Sequence, residues 1–187
     1  MRAWCSVTLV LNPMLEPPMP TLSLRRIADT EFQIPGADPW YADPQDPALT
    51  VMTDFRERTS VTVSDTATVD AALEHMKHNG VRCAFAIDEP RRTVVGLTTA
   101  YDIMSEKPMQ RVHTPRRDVL VRDIMLRIAE WRILTVIDLE SATVGSLLRL
   151  FDKHELTHIP VMEAVDDGRY RLRGLLSAAK IRRLLSR

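Results

Sequence analysis

The sequence predicts an α+β fold made of two related βαββα units, because the same residue pattern occurs twice within 187 residues. The first copy opens with an apolar helical pattern at Thr68-Val69 and ends in a glycine turn at Gly96. The second copy opens at Thr143-Val144 and ends in the corresponding turn at Gly174. Duplication of this kind is typical of a structure assembled from two equivalent supersecondary units.

The segment before the first copy, residues 1–47, predicts an extended N-terminal arm. It holds eight of the twelve prolines, and proline both removes a backbone donor and prevents long helices. The apolar stretch within residues 1–11 is too short to cross a membrane and makes a poor signal peptide. Met14 and Met19 are start sites as acceptable as Met1.

The first copy, residues 48–107, can be followed element by element. Thr68 offers a side-chain oxygen to the start of a helix, and Asn79-Gly80 can close that helix in a left-handed conformation. Thr99 can cap a second, shorter helix. A polar turn joins two strands of this copy into a hairpin. The predicted elements are a strand at 61–63, a helix at 68–78, strands at 81–87 and 93–98, and a helix from Thr99.

The second copy, residues 119–187, repeats this order after a linker at residues 108–118 that contains two prolines and mixed charges. Leader segments at Val51–Phe55 and Val121–Met125 precede the copies, and each is expected to form a turn or short helix. One copy alone leaves a face of its sheet uncovered, so the two should pack sheet to sheet. The predicted elements are a strand at 134–137, a helix at 143–153, strands at 156–162 and 170–176, and a helix from Ser177.

These residues resemble the cystathionine beta-synthase (CBS) domain, present as a tandem pair, the arrangement called a Bateman module. The resemblance covers about residues 48–187 and rests on Val121–Met125, on His158–Val161, and on the glycine turns Gly96–Ile103 and Gly174–Ile181. It implies two clefts between the copies, related by a pseudo-twofold axis. In many members these clefts take adenosine-containing ligands such as AMP, ADP, ATP or S-adenosylmethionine, and the module acts on an associated effector protein.

The turn between Thr99 and Asp102 has the chemistry of a ribose and phosphate site. Thr99 stands at a helix start, where free N–H groups favour an anion, and the Asp102 carboxylate can accept both hydrogens of a ribose diol. The resemblance implies the same use of this pair. The alternative is that Thr99 only caps its helix and that Asp102 complements the first helical turn.

The resemblance also implies the remaining contacts of a ligand held by Asp102. It places Val81 and Cys83 against the base, and it brings Thr157 and His158 of the second copy toward the phosphates. A nearby phosphate would favour the charged imidazolium of His158. The alternatives are a neutral histidine at the sheet edge and a cysteine that only packs.

The second turn departs from the pattern of the first. Ser177 keeps the hydroxyl, but Lys180 stands at the aspartate position and offers donors where a ribose diol needs an acceptor. The second cleft is therefore expected either to be empty or to hold an anion or phosphate between Lys180 and Arg82. The alternative is a solvated lysine on the helix surface.

Composition and motifs exclude several classes of function. Basic and acidic residues balance at 25 each, so no long-range field favours nucleic acid or a membrane surface. Cys5 and Cys83 are too few for a disulfide framework, which predicts a reducing, cytoplasmic location. His154 and His158 are separated by a predicted helix end and should not share a metal. No nucleophile with an activating base is evident, so we expect neither catalysis nor a required cofactor.

Three hypotheses of function follow from these patterns. The first is a stand-alone regulatory protein that binds an adenosine-containing ligand between the copies and signals to an effector protein. The second is a homodimeric scaffold without ligand, since apolar helix positions outnumber what one small core must bury. The third, nucleic-acid contact through basic residues of the last helix, is disfavoured by the neutral charge. The second hypothesis depends on Leu147, Phe151, Ile181, Leu184 and Leu185, and the third on Arg182, Arg183 and Arg187.

Overall fold

The computed structural model of the chain describes residues 39–106, 110, 112–165 and 169–186. These residues form a mixed structure of helices and two four-stranded sheets, which confirms the α+β fold of two repeats. Residues 1–38 of the predicted arm lie outside the described residues.

The first repeat follows the predicted order of elements. The hydroxyl of Thr68 accepts a hydrogen bond from the Ala71 amide at 3.3 Å and so begins the first helix. That helix ends at Asn79, and Gly80 adopts φ +65, the left-handed conformation predicted from the sequence. The elements are β1 (Thr53–Asp54), β2 (Thr62–Ser64), α1 (Val69–His78), β3 (Cys83–Asp88), β4 (Thr93–Thr99) and α2 (Ala100–Met104).

The second repeat differs from expectation at its first strand. The prediction of a strand through Ile137 is wrong beyond Thr135, because the Thr135 hydroxyl accepts the Asp138 amide at 3.3 Å and caps a short helix instead. The elements are α3 (Val121–Ile124), β5 (Leu126–Arg127), β6 (Leu134–Thr135), α4 (Val136–Glu140), α5 (Val144–His154), β7 (His158–Ala164), β8 (Tyr170–Ser177) and α6 (Ala178–Leu185).

Short strands at the leader segments are exchanged between the repeats: β1 lies within the first leader, and β5 directly follows the second. β1 precedes the first repeat but pairs with β8 of the second, and β5 pairs with β4 of the first. The sheets accordingly have the strand orders β1-β8-β7-β6 and β2-β3-β4-β5. Each repeat thus contributes an edge strand to the other sheet, and this ties the two halves together.

Each repeat buries its helices against its own sheet, and a third, smaller cluster joins the two sheets. This inter-sheet cluster contains Cys83, Phe85 and Leu97, with Phe55 and Leu175 packed against it. The apolar helix positions assigned to a dimer interface belong instead to the second repeat's core. Of these, Leu147, Phe151, Ile181 and Leu184 are buried and Leu185 packs at the margin, so these five positions do not supply a dimer interface.

Candidate ligand-binding site

A cavity of about 450 Å³ lies between the two repeats. One wall comes from the segment Thr53–Phe85 of the first repeat and its leader, and the other from β8 and the start of α6. The cavity depends on the exchange of the first leader. Because β1 pairs with β8, Thr53 and the nearby Phe55 lie at the edge of the second repeat's sheet, where both line the cavity. The cavity is a site that neither repeat could form alone.

Aromatic and aliphatic side chains form the apolar part of the lining. Phe55 meets the buried Phe85 edge to face, with ring centroids 5.7 Å apart and planes at 83°. Leu175 of β8 and Val81 of the first repeat add aliphatic surface. Such a surface suits a flat, apolar group such as a purine ring.

The polar part of the lining is strongly basic. Arg82 from the first repeat and His158, Lys180 and Arg183 from the second all line the cavity. Among the residues that the structure describes, no aspartate or glutamate lines it. The cavity therefore combines an apolar surface with cationic groups, an arrangement that favours an anion attached to a ring system.

The start of α6 faces the same cavity. The hydroxyl of Ser177 accepts the Lys180 amide at 3.5 Å, and the Ala178 amide donates to the Thr157 carbonyl at 3.0 Å. In the first repeat the Ala100 amide bonds the Arg82 carbonyl in the same way at 2.9 Å. These matched bonds fix both helix starts relative to the hairpin that precedes each of them.

Asp102 is held by its own helix cap. Its Oδ2 accepts the Thr99 hydroxyl at 2.6 Å, and its amide donates back to the Thr99 oxygen at 3.1 Å. Neither residue lines the cavity. Thr135 and Asp138 make the same Thr-x-x-Asp cap on the surface, so the geometry around Asp102 is also a general way in which this chain starts a helix.

Cys83 and His158 occupy equivalent positions, at the starts of β3 and β7, and both line the cavity. Burial raises the pKa of the Cys83 thiol far above its usual range, and the nearby Asp102 charge raises it further. Burial lowers the pKa of His158, while the Asp102 charge opposes this in part. Cys83 is thus a packed, unreactive thiol, and His158 is neutral near pH 7.

The structure brings together six of the nine residues singled out from the sequence. Val81, Cys83 and His158, which were assigned to the Asp102 ligand, line one cavity with the three residues of the second cleft. Thr157 lies outside the lining, and its hydroxyl contacts His158 Nδ1 at 3.1 Å. The six that share the cavity are Val81, Arg82, Cys83, His158, Ser177 and Lys180.

Sequence reasoning missed Phe55 and Arg183 as lining residues. Phe55 enters the site only through the leader exchange, for which a two-residue strand gives no local signal. Arg183 could have been found, because it stands three residues after Lys180 and therefore shares its face of α6.

Within the described residues, no group of three or more histidine, cysteine, aspartate or glutamate side chains is arranged to hold a metal ion. In the same part of the chain, no helix has the length and apolarity needed to cross a membrane.

Paired repeats with exchanged leaders and a ligand-sized cleft between them define a class of tandem binding modules. The family model described as CBS domain matches the chain twice, at residues 49–108 and 121–187. The chain belongs to the CBS domain family, as the motifs of both repeats indicated.

Several solved structures share the fold. An uncharacterized conserved protein from Pyrococcus horikoshii is 23% identical, with 78% of this chain and 96% of that chain covered and a TM-score of 0.53. The CBS domain pair of protein MJ0100, in complex with 5-methylthioadenosine and S-adenosyl-L-methionine, is 20% identical, with 75% and 96% covered and a TM-score of 0.51. CBSX2 in complex with AMP, a CBS-pair protein of Arabidopsis thaliana, is 22% identical, with 74% and 94% covered and a TM-score of 0.50. No curated protein sequence matches the chain.

Proposed function

We propose that this chain is a regulatory module that binds an adenosine-containing ligand between its repeats and signals ligand occupancy to a partner protein. The observation that carries the proposal is the cavity of about 450 Å³, whose lining comes from both repeats. A ligand there contacts both halves at once, so its binding energy can change their relative orientation.

The lining supports an adenine nucleotide in particular. Phe55 and Leu175 offer an apolar surface for a base, and Lys180 with Arg82 offers cationic groups for phosphate. Other proteins of this fold have been crystallised with AMP and with 5-methylthioadenosine and S-adenosyl-L-methionine. AMP, ADP, ATP and S-adenosylmethionine are therefore the ligands to test.

A thermal-shift series on the full chain tests the proposal. A ligand present at about 100 times its dissociation constant stabilises the folded protein by roughly 2.7 kcal/mol, which raises the melting temperature by several degrees. We expect at least one of the four ligands to do so. No shift with any of them at millimolar concentration would overturn the proposal.

A variant that blocks the cavity tests whether the ligand binds there. Ala179 is exposed at the start of α6 and lines the cavity, so Ala179→Trp should fill it without disturbing the core. Ala71 is the matched control, since it is also exposed near a helix start but lines a smaller, separate depression. The shift should disappear in Ala179→Trp and persist in Ala71→Trp.

Other exposed apolar residues bear on the scaffold hypothesis. Tyr101 and Met104 of α2 expose 69% and 64% of their area, and Ile137 of α4 exposes 70%. Exposed apolar residues of this size are common at protein interfaces. Sedimentation of the wild type and of Tyr101→Lys tests self-association, and an assembly that ignores every ligand favours the scaffold.

A further inference from the structure

The aspartate position of the second glycine turn is lysine, and this lysine lines the cavity, whereas Asp102 of the first turn does not. A carboxylate can accept both hydrogens of a ribose diol, but an ammonium group has no acceptor. Apart from the basic residues and His158, the polar side chains of the lining are the neutral hydroxyls of Thr53, Thr59 and Ser177. Within the described lining, nothing can hold a diol with a charge-assisted pair of hydrogen bonds.

We infer that this cavity selects its ligand by phosphate charge and not by the ribose, so that it binds nucleoside phosphates, 2′-deoxy forms included, and rejects S-adenosylmethionine. The inference rests on the proposed function and narrows its ligand class. The cavity contains the residues predicted for the second cleft, and the inference makes this cleft an anion site with contacts from both repeats.

Two features favour an anion at this place, namely the basic side chains and the start of α6. Arg82 and Lys180 approach from opposite repeats, and Arg183 stands one helical turn beyond Lys180. The N-terminus of α6, capped by Ser177, directs the positive end of its dipole toward the same space. Asp102, the carboxylate whose charge acts on His158, lies outside the lining and accepts the Thr99 hydroxyl.

The same charges disfavour S-adenosylmethionine. Its sulfonium and ammonium groups carry two positive charges against one carboxylate, so the ligand is a net cation. Bringing it beside Arg82, Lys180 and Arg183 is electrostatically unfavourable, while ADP brings negative charge to the same groups. Affinity should therefore rise from adenosine to AMP to ADP and fall with added salt.

Isothermal titration calorimetry of the full chain with adenosine, AMP, ADP, 2′-deoxy-ADP and S-adenosylmethionine tests these statements. We expect ADP and 2′-deoxy-ADP to agree within about fivefold, because only neutral hydrogen bonds to the 2′-hydroxyl are lost. Lys180→Gln should weaken ADP by about tenfold or more and leave adenosine unchanged, as expected for one charge-assisted contact to phosphate. Lys153→Gln, an exposed lysine of α5 outside the cavity, should leave both unchanged.

A reversal variant gives an independent readout. Lys180→Asp rebuilds a hydroxyl-x-x-Asp turn that the chain already accommodates at Asp102 and Asp138, so it should fold. It should bind ADP more weakly than the wild type does and prefer ribose over deoxyribose by about tenfold or more.

The outcomes separate the inference from the proposed function. If none of the compounds binds, both the inference and the proposed function are wrong. The inference is wrong if loss of the 2′-hydroxyl weakens nucleotide binding by more than tenfold. It is also wrong if binding survives Lys180→Gln and is lost in Asp102→Asn. In both cases the regulatory proposal still stands. Tighter binding of S-adenosylmethionine than of ADP overturns the inference as well.

Discussion

Gly174 of β8 lies against Met52, the residue immediately before β1. A Cβ atom on Gly174 would lie 2.7 Å from the Met52 sulfur and 2.7 Å from the carbonyl oxygen of Thr53. Gly96 and Met125 repeat the contact in the other half, where the Cβ would lie 2.6 Å from the sulfur and 2.9 Å from the Leu126 carbonyl. Both glycines are therefore required where an exchanged leader crosses the hairpin.

The first prediction concerns this contact. Gly174→Ala should lower the free energy of unfolding by about 1 to 3 kcal/mol, because a backbone oxygen cannot give way as a side chain can. Urea denaturation followed by circular dichroism measures the change. Met52 is buried, so Met52→Ala is destabilising by itself, but in that background Gly174→Ala should cost less than in the wild type, because only the clash with the Thr53 oxygen remains. An unchanged midpoint in Gly174→Ala would contradict the described pairing of β1 with β8.

Local signals were enough to predict most of the fold. The cap at Thr68 and the left-handed Gly80 act within a few residues, and both are found where the sequence places them. The error at Leu134–Ile137 arose where an apolar strand pattern overlaps the cap formed by Thr135 and Asp138. The exchanged leaders were not predicted, because pairing over two residues carries no periodicity.

The site was harder to predict than the fold for the same reason. Its residue types were identified, but their grouping depends on which leader joins which sheet. The sequence and the resemblance put Val81 and Cys83 with Asp102, whereas in the structure both line the cavity that contains Lys180. Phe55 could not be assigned without knowing that β1 pairs with β8.

The second prediction concerns Glu155, which closes α5 with φ +52, at the position equivalent to Gly80. A side chain disfavours this left-handed conformation, whereas glycine adopts it freely. Glu155→Gly should therefore raise the free energy of unfolding by up to about 1 kcal/mol, as measured in urea. The reciprocal change Gly80→Ala should lower it by about 1 kcal/mol, and a loss of stability in Glu155→Gly would refute the assignment.

The third prediction concerns the ion pair that anchors β1. Arg173 Nη1 lies 2.6 Å from Asp54 Oδ2 without the alignment of a hydrogen bond, and the arginine side chain is only 14% exposed. Arg173→Met should cost about 1 to 3 kcal/mol, because it leaves Asp54 without its cation in a partly buried position.

The surface pair of Lys77 with Glu74 is the control for this change, since both of its side chains are more than half exposed. Lys77→Met should change stability by less than about 0.5 kcal/mol. A double-mutant cycle of Arg173→Met with Asp54→Asn isolates the pair, and a coupling energy near zero would show that the pair with Asp54 is not the source of the loss.

The fourth prediction concerns pH and His158. Burial lowers the pKa of this imidazole below its ordinary value of 6.5, although the Asp102 charge opposes the shift. As the pH falls below 6.5, the unfolded chain takes up a proton at this residue before the folded chain does. The free energy of unfolding should therefore decrease in this window as the pH is lowered, and His158→Gln should show a smaller decrease. Urea denaturation at several pH values measures both slopes, and equal slopes would exclude His158 as the source.

Ligand binding should respond to pH in the opposite direction. A phosphate in the cavity adds negative charge beside His158, where Arg82, Lys180 and Arg183 otherwise supply positive charge, and so favours the imidazolium. ADP should bind more tightly as the pH falls through the same window, with uptake of a proton that calorimetry in buffers of different ionisation enthalpy detects. His158→Gln should remove the part of this proton uptake that belongs to the imidazole. The terminal phosphate of ADP also titrates at about pH 6, so the comparison is between proteins: equal proton uptake in the wild type and in His158→Gln would place the phosphates away from His158.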